Sequence, residues 1–189
     1  MDALSTRINS LPASATLAMA AKARELKNKG IDIIGLSLGE PDFNTPEFIK
    51  EAAINAVNEN WNSYSPVDGY ADLKEAICEK FKRDNNLDYK PSQVVVSTGA
   101  KQSIANLCLV LLDPGDEVLL PAPYWVSYSA IATLAEATST IIPSTIKNDF
   151  KITPEQLEAA ITPKTKLIMF NSPNNPSGTV YTEAEYRAL

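Results

Sequence analysis

The chain has 189 residues, 44% of them hydrophobic, and a net charge of −6 with acidic and basic residues interleaved along it. These values are typical of a globular protein that folds in water, and they argue against a disordered chain and a membrane span. The lack of clustered lysine and arginine argues against nucleic acid as a partner, and the absence of histidine excludes Ser-His-Asp, Cys-His and most zinc-site mechanisms.

Hydrophobic periodicity predicts helices and strands that alternate along most of the chain. The predicted helices cover residues 14–29, 44–60, 71–84, 100–112, 124–135 and 153–161. The predicted strands cover residues 31–38, 93–98, 116–121, 137–143 and 164–170. Strands that alternate with helices of this length indicate parallel crossover units, and therefore an α/β fold with helices on both faces of the sheet.

The two ends of the chain suggest its compartment and its extent. The N-terminus lacks a basic start followed by an apolar core, so we expect no secretory signal and a cytoplasmic location. At the other end, Thr182 and Glu185 form a capping box that starts a helix, and the sequence stops seven residues after Thr182. Because so short a helix is marginal alone, we expect the chain to be a truncated piece of a longer protein.

The segment "STGAKQS" at 97–103 is a candidate phosphate site. It lies where a predicted strand hands over to a helix, so the free N–H groups of Gly99, Ala100 and Lys101 would lie at the positive end of the helix dipole. An ordinary turn with a glycine explains the pattern as well. The segment lacks the G-x-G-x-x-G spacing and the P-loop lysine, which disfavours NAD and nucleoside triphosphates.

Two further loops contain aromatic or glycine residues that could contact a ligand. Trp125 follows a strand end, where it could stack on a flat ring or lie in the core. Gly39 in "LGEPDF" would permit close backbone approach, and Tyr64 in "SYSPVDGY" presents a hydroxyl in a loop. A plain turn explains Gly39 nearly as well, and a tyrosine in an exposed loop usually has no role in binding.

The loop "FNSPNNPSG" at 170–178 follows the last predicted strand. Prolines on both sides of Asn174 and Asn175 restrict the backbone, so the loop would hold two amide side chains rigidly beyond the strand end. A binding loop and an asparagine-rich turn both remain open from these residues alone.

Taken together, "SLGEPDF", "YSPVDGY", "STGAKQ", "DPGDEV", "PAPYWVSY" and "NSPNNPSG" resemble class I aminotransferases of the fold type I pyridoxal 5'-phosphate architecture, most closely the bacterial aspartate aminotransferase branch. The resemblance implies a three-layer α/β/α large domain with a mainly parallel sheet, preceded by an N-terminal helical arm. It assigns residues 1–45 to the arm and a small-domain segment, and residues 46–189 to an incomplete large, cofactor-binding domain.

The resemblance also implies roles for the candidate residues at the cofactor phosphate. The amides around Gly99, Ala100 and Lys101 would hold the phosphate of their own subunit, and Lys101 would contribute its backbone rather than its amine. Tyr64 would reach across a homodimer interface to the phosphate of the other subunit.

At the cofactor ring and the substrate, the resemblance implies three further contacts. Trp125 would stack on the pyridine ring, Asn175 would hydrogen-bond the phenolic oxygen, and both would lie near the substrate. Gly39 would contact the α-carboxylate of the amino acid. The substrates would be an amino acid, such as L-aspartate, and a 2-oxo acid such as 2-oxoglutarate.

The family's cofactor-binding lysine, its pyridine-nitrogen aspartate and its carboxylate-binding arginine belong to segments after "NPSG" that this sequence does not contain. We therefore expect no catalytic residue within the chain and no turnover by the chain alone. Two alternatives stay open: a lyase or decarboxylase of the same fold, and a non-catalytic ligand-sensing domain.

Overall fold

The computed structural model describes residues 3–36 and 39–189. The helices are α1 (Thr6–Asn9), α2 (Ala15–Asn28), α3 (Glu47–Asn58), α4 (Ala71–Asn85), α5 (Ala100–Leu111), α6 (Ser127–Leu134), α7 (Pro154–Ala160) and α8 (Glu183–Ala188). The strands are β1 (Glu117–Pro121), β2 (Thr138–Ile142) and β3 (Thr165–Ile168). The described residues fall into two compact units, one of residues 3–11 with 97–189 and the other of residues 12–36 with 39–96.

The first unit contains a parallel sheet in the order β2-β1-β3, with Leu119 of β1 opposite Thr140 of β2 and Ile168 of β3. The chain passes from β1 through α6 to β2, and then returns through α7 to β3 on the other side of β1. This winding, with parallel strands joined through helices, confirms the predicted α/β fold. It also brings the carboxyl ends of β1 and β3 to the same edge of the sheet.

The core of this unit has two halves, one on each face of β1. Val118 and Leu120 are fully buried in a cluster with residues of α5 and α6, including Cys108 and Tyr128. Leu119 is buried in a second cluster that includes residues of α7. Because successive side chains of a strand point to opposite faces, β1 anchors helices on both sides of the sheet.

The second unit consists of α2, α3, α4 and the loops that join them. No described side chain of residues 12–36 and 39–96 is fully buried. The loop before α4 is held to the end of the unit, since the Val96 N–H donates to the Asp68 carbonyl over 3.1 Å. Lys74 of α4 forms an ion pair with Asp68. The predicted domain boundary between residues 45 and 46 stays a prediction.

Two predicted strands are wrong in the described residues. Residues 31–36 form no strand, and residues 37 and 38 of that prediction lie outside the described residues. Residues 94–98 are irregular and follow a short 3-10 turn at Pro91–Gln93. Both runs are apolar, but a strand also needs a hydrogen-bonded neighbour, and the Val96 N–H bonds a loop carbonyl instead.

Candidate cofactor-binding site

The turn that starts α5 is built from backbone and side-chain hydrogen bonds. Gly99 precedes the helix with φ +86°, a conformation that glycine adopts without strain. Its N–H donates to the Ser97 carbonyl over 2.8 Å, and the Thr98 N–H donates to Oε1 of Gln102. Gly99 therefore shapes the turn, and its own amide is already used.

The next two amides of α5 are free. In the described part of the chain, the N–H groups of Ala100 and Lys101 have no acceptor. They lie in the first turn of a twelve-residue helix, where the helix dipole is positive. Two unpaired donors at this position are suited to hold a phosphate oxygen.

Trp125 lies in the loop between β1 and α6, because α6 begins at Ser127, later than predicted. Its half-buried ring packs edge-on against Tyr128, with ring centroids 5.6 Å apart and an interplanar angle of 82°. Tyr128 is buried, and this burial raises the pKa of its hydroxyl. Trp125 is thus held by the core on one side, as a stacking platform requires.

The start of α5 and the Trp125 ring lie next to each other. The Lys101 ammonium is 5.0 Å from the centroid of the Trp125 ring, within the range of a cation–π contact. The same residue therefore presents a free backbone N–H and places its side chain on the Trp125 ring. A bound molecule with a phosphate and a flat ring could contact the free N–H groups through its phosphate and the Trp125 ring through its own ring.

The two adjacent asparagines of the last loop have different environments. Asn174 Nδ2 donates to the Pro123 carbonyl over 3.2 Å, and its Oδ1 accepts from the Ser177 N–H and hydroxyl. Asn175 is exposed, and its side-chain amide makes no hydrogen bond with any residue that the structure describes. Asn175 is therefore available to a ligand, while Asn174 is used within the protein.

Gly39 and Tyr64 belong to the second unit. Tyr64 is fully exposed, and Gly39 has no atom within 4 Å of the position a Cβ would take. Their predicted contacts with substrate and with the phosphate of another subunit stay predictions.

Sequence reasoning missed three contributors to the site. Gln102 accepts from the Thr98 N–H in the turn before α5, and the capping-box pattern does not signal it because the N-cap residue is Gly99. The Pro123 carbonyl, which accepts from Asn174, had no sequence signal. Asn171 was also missed, and its Oδ1 is buried without a donor among the described residues.

A family model described as aminotransferase class I and II matches residues 31–189. The chain belongs to this family. Its curated relatives include an aspartate aminotransferase of Bacillus subtilis, 53% identical over 186 residues, and an aspartate/prephenate aminotransferase of Nitrosomonas europaea, 52% identical. Each alignment covers 98% of this chain and 47% of the relative, so the chain spans about half the length of these class I and II aminotransferases.

Solved aminotransferase structures match the fold closely. An aspartate aminotransferase of Thermus thermophilus, solved with maleate, has a TM-score of 0.95 at 43% identity, covering 100% of this chain and 50% of that one. An alanine aminotransferase of Pyrococcus furiosus has a TM-score of 0.91 at 32% identity, covering 98% and 48%. These matches confirm the resemblance and fold class that the sequence motifs indicated.

The donor set of the site fits the cofactor that the aminotransferase family implies. Pyridoxal 5'-phosphate has a dianionic phosphate, a flat pyridine ring and a phenolic oxygen attached to that ring. The free amides of Ala100 and Lys101, the half-buried ring of Trp125 and the free amide of Asn175 match these three groups.

The described residues contain no candidate metal site. Among residues 3–36 and 39–189, no group of three or more acidic, cysteine or histidine side chains could hold a metal ion. Within the same residues, no helix has both the length and the apolar character needed to cross a bilayer.

Proposed function

We propose that this chain is the cofactor-holding part of a pyridoxal 5'-phosphate-dependent aminotransferase. The observation that carries the proposal is the meeting of two features at one sheet edge: the free amides at the start of α5 and the Trp125 ring, joined through Lys101. The class I and II family match supports it.

In this proposal each residue has a separate task at the cofactor. The N–H groups of Ala100 and Lys101 bind the phosphate, with Gly99 shaping the turn that presents them. Trp125 orients the ring by stacking, and Asn175 donates its amide to the phenolic oxygen. When bound, pyridoxal phosphate withdraws electrons from the α-carbon of the amino acid. Gly39 contacts the substrate α-carboxylate.

We propose L-aspartate and 2-oxoglutarate as the substrates of the whole protein. Two relatives with about half of their residues identical over the aligned region carry aspartate in their names, and the Thermus thermophilus structure was solved with maleate, a four-carbon dicarboxylate. We also propose a homodimer, in which the fully exposed Tyr64 reaches the phosphate of the other subunit.

The test uses the protein encoded by the complete gene. Purified apoprotein is titrated with pyridoxal phosphate, and oxaloacetate is then measured with aspartate and 2-oxoglutarate as substrates. Cofactor binding with oxaloacetate formation is expected. Cofactor binding with carbon dioxide release or elimination would instead support a lyase or decarboxylase. Binding without turnover of any amino acid would support a ligand-sensing domain.

A second test concerns the 189-residue chain alone. We expect it to form no stoichiometric covalent adduct with pyridoxal phosphate, since the resemblance to the family places the cofactor-binding lysine in a segment after "NPSG" that these 189 residues do not include. Borohydride reduction followed by peptide mass spectrometry measures this. A single native lysine labelled at one equivalent of cofactor would refute the expectation.

A further inference from the structure

Asn174 is bonded through both its side chain and its backbone. Its Nδ2 donates to the Pro123 carbonyl over 3.2 Å, and its Oδ1 accepts from the Ser177 N–H and hydroxyl over 3.1 Å and 2.9 Å. Its backbone N–H donates to the Thr179 carbonyl over 2.8 Å, and its carbonyl accepts from the Gly178 N–H over 2.8 Å. The side chain and backbone of Asn174 together define the turn in which Asn175 lies.

The bond from Asn174 to Pro123 connects the two loops that carry the proposed ring contacts. β1 and β3 are neighbours in the sheet, and these loops follow their carboxyl ends. Pro123 lies two residues before Trp125, and Asn174 is directly followed by Asn175. In the described chain this is the one hydrogen bond between residues 122–126 and residues 170–178, so it links the loop of Trp125 directly to the loop of Asn175.

We propose that Asn174 is a positioning residue for the cofactor. Through its Nδ2 bond to Pro123, it holds Asn175 where the amide meets the phenolic oxygen while Trp125 carries the ring. This inference rests on the proposed function. Asn174 itself does not touch the cofactor, because both ends of its amide are used within the protein.

The chain offers a matched control for this bond. Gln156 also donates its amide to a proline carbonyl after a strand, at 2.9 Å to Pro143, and its Oε1 also accepts from a backbone N–H, that of Thr153. Asn174→Asp and Gln156→Glu make the same chemical change. Each keeps the acceptor oxygen, removes the donor and adds one negative charge, but only Asn174 lies beside the proposed site.

The experiment uses the complete apoprotein with pyridoxal phosphate as the probe. For each variant we would measure the dissociation constant of the cofactor, the pH at which the visible band of the bound cofactor changes, and the melting temperature of the apoprotein. Asn175→Ala provides the reference for losing the amide contact. Asn174→Ser is neutral, and its hydroxyl is too short to reach the Pro123 carbonyl, so it separates the lost bond from the added charge.

We expect Asn174→Asp and Asn174→Ser to weaken cofactor binding by about tenfold. This is the expected cost of losing the hydrogen bond between a displaced Asn175 amide and the phenolic oxygen, which is then left without a donor. Both should shift the pH of the spectral change in the same direction as Asn175→Ala. Gln156→Glu should leave the binding constant and this pH as in the wild type.

Three results would overturn the inference. The first is that the Asn174 variants lower the melting temperature but leave the binding constant and the spectral pH unchanged, which indicates a purely structural role. The second is that Gln156→Glu has the same effect as Asn174→Asp. The third is that wild-type apoprotein binds no pyridoxal phosphate, in which case the proposed function fails together with the inference.

Discussion

Replacing Gly69 by alanine tests how the loop that carries Tyr64 is held in place. Gly69 has φ +100°, and a Cβ added to it would lie 2.6 Å from Cγ2 and 2.9 Å from Cβ of Val96. Val96 cannot move aside easily, because its branched side chain is stiff and its Cβ is attached to the backbone. The substitution therefore introduces both a strained φ and a steric clash.

The two costs can be separated with a second glycine. A positive φ costs about 1–2 kcal/mol for an L-residue, and overpacking costs about 1–3 kcal/mol. We expect Gly69→Ala to lower the free energy of unfolding by the sum, about 2–5 kcal/mol. Gly30 has φ +77° with no atom within 4 Å of its Cβ position. Gly30→Ala should therefore lower the free energy of unfolding only by the cost of the positive φ, about 1–2 kcal/mol.

Urea denaturation followed by circular dichroism measures both variants. In the background of Gly69→Ala, the change Val96→Ala should restore part of the lost stability, because it removes the nearest methyl group and leaves the Cβ in place. Equal losses for Gly69→Ala and Gly30→Ala, or no coupling with Val96→Ala, would refute the packing argument.

Two further predictions concern the first unit. Bonding to the Thr182 backbone and to Lys151 lowers the pKa of Glu185 from 4.5 to about 2, so its contribution to stability is complete above pH 4.5 and is lost as the pH falls towards 2. Lys151→Met should raise this pKa towards 4.5, and an unchanged carboxyl titration by NMR would contradict the role of Lys151. Leu120 is fully buried, so Leu120→Ala should cost about 2–5 kcal/mol in urea unfolding, whereas Leu109→Ala, at a side chain 64% exposed, should cost less than about 1 kcal/mol. Equal losses would argue against the core described here.

Local signals predicted the parts of the fold that depend on neighbouring residues. The capping box at Thr182 is present in both directions, with the Glu185 N–H bonded to the Thr182 hydroxyl and the Thr182 N–H bonded to the Glu185 carboxylate. α5 begins at Ala100 directly after Gly99, as the turn signal indicated. These predictions succeeded because donor and acceptor lie within three or four residues of each other.

The predicted strands at 31–38 and 93–98 show the limit of such signals. An apolar run identifies a segment that can pair, but the hydrogen bonds of a strand come from another part of the chain. In residues 94–96 the only long-range backbone bond described is from Val96 to Asp68, in a loop. Strands β1, β2 and β3 were predicted correctly where the described chain supplies parallel neighbours.

The sequence by itself determined the family, the α/β class and the position of the loops that follow β1 and β3, because these depend on motifs and on hydrophobic periodicity. Only the tertiary structure decided how the two adjacent asparagines differ. They share one residue type and one loop, and the difference is whether a carbonyl from a distant loop lies within hydrogen-bonding distance. Asn174 meets the Pro123 carbonyl, 51 residues away in sequence, and Asn175 is left free.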